Sequence, residues 1–156
     1  MLLALKVATG SSMIVFGTGA VGLSAIMAAR VAVAATIVAI DVRPARLDLA
    51  RGLGATHAFD GTREDLPRRL QEVTGEAHYT IDTTGLPAVI ATAIAALRPT
   101  GTCGLLGAPQ ADLVLDPKLV LAGGNLMGSC EGDAVPQLLI PALVRLWQQG
   151  RFPSKN

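Results

Sequence analysis

Met13-Ile14-Val15-Phe16-Gly17-Thr18-Gly19-Ala20-Val21-Gly22 is the stretch whose reading decides the fold. Four apolar residues run straight into three glycines spaced G-x-G-x-x-G. The run is short, partly β-branched, and has no polar face at period two. A strand buried on both faces reads this way. Leu23 to Val31 is small, apolar and helix-compatible, so the glycines sit at a strand-to-helix turn. A pyrophosphate can rest on the helix N-terminus at such a turn. Each glycine has its own task there. Gly17 permits the tight turn, Gly19 lets backbone N–H groups approach phosphate oxygens, and Gly22 lets the helix pack closely on the strand.

A second apolar run, Thr36 to Ile40, ends in Asp41, 19 residues past Gly22. That is the place of the acid in the dinucleotide fingerprint, where a carboxylate accepts the ribose hydroxyls of the adenosine half. Gly is common in this chain, 17 of 156 residues, so the glycine spacing alone is weak and the following acid is what strengthens it. The alternative is a plain glycine turn, with Asp41 facing solvent and capping the next helix.

The length fits one domain with a good core. Hydrophobic residues make up 51% of the chain and mean hydropathy is +0.48, which suits a parallel sheet covered on both faces. No apolar run reaches 18 residues without a charge or glycine, so no transmembrane helix is expected. A net charge of +1 gives no electrostatic case for nucleic acid or a membrane surface. No secretion signal is read at the N-terminus. Cys103 and Cys130 lie in apolar strand-like runs and read as free thiols in a reducing cytoplasm.

Along the chain, Met1 to Val7 reads as a short helical piece, broken by Thr9-Gly10-Ser11-Ser12. The first long helix ends near Val33 without the expected glycine C-cap, and valine takes a left-handed conformation only at a cost. Pro44 opens a helix closed by Gly54, and His57 to Asp60 is a third strand. Arg63 to Val73 is an amphipathic helix, with Glu64 and Asp65 favourable at its N-terminus. Tyr79 to Thr84 is a fourth strand, and Pro87 opens a helix running to Leu97. Arg98 to Gly101 is a turn, and Thr102 to Gly107 a fifth strand. Asp116 caps a short helix, Asn125 to Cys130 is a sixth strand, and Asp133 caps a last helix. Pro141 should kink or split that helix, whose inward stripe would be Leu139, Leu143, Val144 and Trp147. Alternation of six strands with helices predicts a doubly wound α/β (Rossmann) parallel sheet, order 3-2-1-4-5-6, with a ligand at the switch between strands 1 and 4.

No metal site is expected within this chain. Cys103, Cys130, His57 and His78 show no paired-ligand spacing, and the histidines read as surface or loop residues. There is no P-loop and no nucleophile elbow, and no residue is assigned a catalytic role.

Gly17 to Ala29, Ile40-Asp41-Val42 and Gly54-Ala55-Thr56-His57 resemble the zinc-containing medium-chain alcohol dehydrogenases. Leu106-Gly107-Ala108-Pro109 and Glu131 to Gln137, followed by Ile140-Pro141, resemble the aryl-alcohol (benzyl alcohol) branch. The resemblance implies backbone donors to the pyrophosphate at Thr18, Ala20 and Val21. It implies a ribose contact at Asp41 with Arg46 beside it, and Thr84 against the adenosine side. Leu106, Gly107 and Ala108 would flank the nicotinamide ribose, with Ser129, Cys130 and Glu131 near the carboxamide. NAD is implied over NADP, because a 2′-phosphate would face the Asp41 carboxylate. It also implies that zinc and the proton relay belong to a separate GroES-like domain absent from this chain. Residues 1–10 would lead in from that domain, and 11–153 would form the NAD-binding domain. The partners implied are NAD(H), an alcohol or aldehyde, and a second copy pairing through the strand 6 edge. A non-catalytic NAD-binding, dimerising fragment is one alternative. A methyltransferase-type Rossmann domain is another, opposed by Gly22 and the sixth strand. Relatives in this family place a glycine where Val33 stands.

Overall fold

The computed structural model describes residues 5–129 and 134–153. Six strands, β1 (Ser12–Phe16), β2 (Thr36–Asp41), β3 (His57–Asp60), β4 (Ala77–Asp82), β5 (Leu97–Leu105) and β6 (Asn125–Gly128), form one sheet in the order β3-β2-β1-β4-β5-β6. All five pairings are parallel. The connecting helices are α1 (Ala20–Val31), α2 (Pro44–Leu53), α3 (Leu66–Thr74), α4 (Pro87–Ala95) and α5 (Pro117–Leu121), with α6 (Pro136–Gln148) after β6. This is the doubly wound sheet that the alternating pattern predicts.

β1 is the axis of the core. Met13, Ile14, Val15 and Phe16 are each at most 1% exposed. Their side chains alternate between two apolar clusters. Met13 and Val15 join Ala25, Ile26 and Ala29 of α1 and Ala50 of α2. Ile14 and Phe16 join Leu66 and Leu70 of α3 and Ala93 of α4. Burial of each such side chain is worth about 1.5–3 kcal/mol, which is why this strand tolerates no polar face. Cys103 sits in the second cluster as packing, and burial pushes its thiol pKa up, away from reactivity.

Several boundaries move for identifiable reasons. α3 starts at Leu66 rather than Arg63, because Asp60 Oδ1 accepts from the Thr62 amide (2.9 Å) and hydroxyl (2.8 Å) and holds a turn. Asp65 there is the hub of three arginines, Arg63, Arg68 and Arg69. β4 stops at Asp82, and Thr83 and Thr84 belong to the loop that the Asp82 carboxylate organises. α4 stops at Ala95, so Leu97 lies in β5 and not in the helix. The expected turn at Arg98–Gly101 is a bulge inside β5: Ala77 pairs with Leu97 but Tyr79 pairs with Thr102, and Thr100 has φ 64°. His78 is neither loop nor surface. It lies in β4, half-buried, with Nδ1 2.8 Å from the Ser12 hydroxyl, and burial, aided by the Arg98 charge, lowers its pKa.

The last helix departs most. α6 runs unbroken from Pro136 to Gln148 across Pro141, so the expected split does not occur. It contains no fully buried residue: Trp147 is 53% exposed and Val144 45%, so of the expected inward stripe only Leu139 and Leu143 are half-buried. Asp133, read as its cap, and most of the leading helical piece (residues 1–4) lie outside the described residues. Among the described residues no helix is long and apolar enough to cross a membrane.

The end of α1 is strained where the sequence said it would be. Ala32 caps the helix, and Val33 then takes φ 60°, held by its carbonyl accepting from Gly10 N–H at 2.9 Å. A left-handed conformation costs a non-glycine residue about 1–2 kcal/mol. Val33 is 59% exposed, so little burial is lost on removing its side chain. Val33→Gly is therefore expected to stabilise the fold by about 1 kcal/mol, raising the calorimetric Tm by about 2–4 °C after glycine's own entropy is discounted. A lowered Tm would contradict the strain.

Candidate functional site

Parallel strands carry their carboxyl ends to one edge of the sheet. There β1, β2 and β4 bring Gly17, Asp41 and Asp82 together, at the switch point between β1 and β4 where doubly wound sheets take ligands. The glycine turn behaves as its spacing implies. Gly17 has φ 85°, and a Cβ on it would overlap the Thr83 hydroxyl. A Cβ on Gly22 would overlap the Gly17 carbonyl oxygen, so α1 can lie on the turn only with glycine at that position. Gly19 differs from both: nothing lies within 4 Å of where its Cβ would be. The space beside it is open. Gly19 is also the N-cap of α1, with no side-chain cap and no acid in the first turn. The amides of Ala20, Val21 and Gly22 and the positive helix end are thus left for an anion.

Asp41 is 7% exposed, which disposes of the solvent-facing alternative. Its Oδ2 accepts from the Thr18 amide at 2.7 Å and the Thr18 hydroxyl at 2.8 Å. Its Oδ1 accepts from the Arg43 amide at 3.0 Å. Arg46 Nη1 stands 3.6 Å from Oδ2. Burial alone would raise the carboxyl pKa; the Thr18 amide and hydroxyl, the Arg43 amide and the Arg46 charge outweigh it and hold the pKa below the ordinary aspartate value. Asp41 is therefore an anion at neutral pH. The Thr18 amide thus has a partner within the protein, unlike the amides of Ala20 and Val21 at the bare helix end.

The β4 loop supplies the opposite wall, and its key residues carry no motif. Asp82 is fully buried and accepts from the Thr84 hydroxyl (2.6 Å), the Thr84 amide (3.2 Å) and the Gly85 amide (2.8 Å). The Thr83 hydroxyl donates to the carbonyl oxygens of Phe16 (3.0 Å) and Gly17 (3.1 Å), tying β4 to the glycine turn. Sequence reading named Thr84 but missed Asp82 and Thr83. The signal available was an acid ending an apolar strand, the same signal as Asp41. A cleft of about 480 Å³ results, lined by Gly17, Gly19, Asp41, Arg46, Thr83 and Thr84 together with apolar Phe16, Ile40, Leu66, Leu86 and Val89. That volume suits a nucleoside-sized ligand.

Leu106, Gly107 and Ala108 lie outside this cleft but against the same loop. The Leu106 amide donates to the Asp82 carbonyl at 2.8 Å, and a Cβ on Gly85 would overlap the Ala108 carbonyl oxygen. The Ser129 hydroxyl is buried and has no partner among the described residues. Cys130 and Glu131 lie outside the described residues. Among the described residues, no three His, Cys, Asp or Glu side chains are grouped as a metal would require.

A glycine turn with one open notch, a bare helix end and a buried carboxylate 19 residues past Gly22 come together at the switch point of a doubly wound α/β domain. The zinc-binding dehydrogenase family model matches residues 20–147, and the chain belongs to that family. It is 41% identical to a geraniol dehydrogenase of Castellaniella defragrans over 96% of this chain and 41% of that protein. Its structure is similar to an alcohol dehydrogenase zinc-binding domain protein of Burkholderia ambifaria (TM-score 0.93, 49% identity, 97% of this chain, 42% of that one). It is also similar to the benzyl alcohol dehydrogenase of Acinetobacter calcoaceticus (TM-score 0.92, 40% identity, 96% and 42%). The chain thus spans about two fifths of the length of these relatives. Membership of a dehydrogenase family decides against the methyltransferase reading.

Two glycine variants separate folding from binding. Gly22→Ala forces backbone apart and is expected to destabilise by at least about 2–3 kcal/mol. Gly19→Ala meets no protein atom at φ −71°, so its Tm should stay within a few degrees while nucleotide binding is lost. Thermal melts with and without nucleotide check both. Undiminished binding by Gly19→Ala would remove the notch from the site.

Proposed function

We propose that this chain is the NAD-binding part of a zinc-dependent alcohol dehydrogenase. The observation that carries the proposal is the cleft joining the open side of Gly19 to the buried Asp41 carboxylate. The residues fit a dinucleotide. The bare α1 terminus and the amides of Ala20 and Val21 receive the pyrophosphate. Asp41 accepts from the adenosine ribose, and Thr84, Leu86 and Val89 face the adenine side of the cleft. Leu106 to Ala108, fixed on the Asp82 loop, flank the nicotinamide ribose. The backbone from Ser129 to Glu131 is assigned to the carboxamide, and the Ser129 hydroxyl, buried and without a partner among the described residues, is in keeping with that. When bound, NAD supplies the hydride acceptor for oxidation of an alcohol to its aldehyde.

Asp41 selects NAD over NADP, because a 2′-phosphate would stand against a fixed anion. Zinc and the proton relay are assigned to a catalytic domain outside these 156 residues, so the chain alone binds cofactor without turnover. Geraniol and benzyl alcohol, named for two of the relatives, both carry the hydroxyl on a carbon next to an unsaturated one. An allylic or benzylic primary alcohol is the substrate class proposed for the whole enzyme. Exposed Leu121 and Leu126, beside the unpaired edge of β6, fit a homo-oligomer formed through that edge. The free, buried Cys103 suits a cytoplasmic protein.

Calorimetric titration of the chain with NADH, NADPH and S-adenosylmethionine tests the cofactor. NADH should bind, NADPH more weakly by at least about tenfold, and S-adenosylmethionine not at all; Asp41→Ala should weaken NADH by about tenfold or more. Equal affinity for NADH and NADPH in the wild type would overturn the assignment of Asp41.

A further inference from the structure

Thr18, between the first two glycines, occupies a position whose side chain the glycine fingerprint leaves unspecified. Here it is fully buried, and both of its donors end on the same carboxylate oxygen, Asp41 Oδ2. The amide donor would be present with any residue but proline; the hydroxyl donor comes from the threonine side chain. We propose that Thr18 is a specificity-positioning residue, whose hydroxyl locks the Asp41 carboxylate in the orientation that discriminates a ribose 2′-hydroxyl from a 2′-phosphate. This rests on the nicotinamide-cofactor reading above and adds to it the residue that makes the discrimination rigid.

The geometry carries the argument in two steps. A carboxylate can relieve repulsion from a 2′-phosphate by rotating about its side-chain torsions. In this chain that rotation breaks the Thr18 hydroxyl bond at 2.8 Å, the Thr18 amide bond at 2.7 Å and the Arg43 amide bond at 3.0 Å together. Arg46 is 43% exposed and stands only 3.6 Å from the same oxygen. It is the cation that a 2′-phosphate could recruit once the carboxylate moved. The lock thus keeps Asp41 in place and Arg46 committed to it. Without the hydroxyl, one of three hydrogen bonds is gone, the carboxylate can turn, and Arg46 is released to meet a phosphate. The carboxylate also loses a donor that favours its charged form, so its titration must move upward.

The test uses the full chain and four proteins: wild type, Thr18→Val, Thr18→Ser and Thr18→Ala. Dissociation constants for NADH and NADPH are measured by titration, and the Asp41 carboxyl is followed by ¹³C NMR against pH. Thr18→Val keeps volume and loses the hydroxyl. It is expected to weaken NADH by about three- to tenfold and NADPH less, narrowing the ratio of the two, and to raise the Asp41 midpoint. Thr18→Ser keeps the hydroxyl and should restore both the ratio and the midpoint. Thr18→Ala carries the same expectation as valine should the valine variant melt at the assay temperature. A Thr18→Val protein that binds NADH and NADPH in the wild-type ratio overturns the proposal while leaving the cofactor reading intact. So does a serine variant that rescues neither readout, since bulk and not the hydroxyl would then matter. A wild-type chain that binds neither nucleotide overturns the cofactor reading and this proposal with it.

Discussion

Everything at the carboxyl edge of this sheet follows from one close approach, the Gly22 backbone against the Gly17 carbonyl. It brings α1 down onto the turn that leaves β1. A helix placed one methyl further out would no longer lay Ala25, Ile26 and Ala29 against Met13 and Val15. Its N-terminus would also no longer point into the cleft. The packing constraint therefore falls on Gly22, while Gly19, three positions earlier, is free of it and borders the open cleft.

Around that contact, buried hydrogen bonds replace chain connectivity. Asp41 ties the end of β2 to the turn through Thr18, and Thr83 ties the end of β4 to it through the carbonyls of Phe16 and Gly17. Asp82 folds its own loop and, through its carbonyl, anchors Leu106 and Gly107 after β5. Three strand ends thus hold one another through buried and part-buried polar groups. Buried networks of this kind are costly when partly satisfied and specifying when complete.

The centre of this fold was legible because its signals are local. A two-face-buried strand, a glycine turn and an acid at fixed spacing each leave a mark on a few consecutive residues, and β1, α1, β2 and Asp41 were read from them. Val33 was legible for the same reason, as a missing glycine at a helix end. What failed was non-local. The β5 bulge depends on how Ala77 and Tyr79 pair across to another strand. His78 depends on Ser12, 66 residues away. The Thr18 hydrogen bonds depend on Asp41, 23 residues away on the next strand. Trp147 and Val144 belong to an apolar pattern at helical spacing, yet both are exposed and α6 fully buries no residue. Periodicity identifies an apolar face; it does not say what covers it.

The most direct measurement is an amide NMR map of the chain titrated with NADH. Shifts should concentrate at Gly19, Ala20 and Val21, at Val42 and Arg43 beside Asp41, and at Thr84 and Gly85, with β3 and α6 silent. Perturbations centred elsewhere, or none at saturating NADH, would contradict the claim that the glycine notch and the Asp41 carboxylate form one nucleotide site.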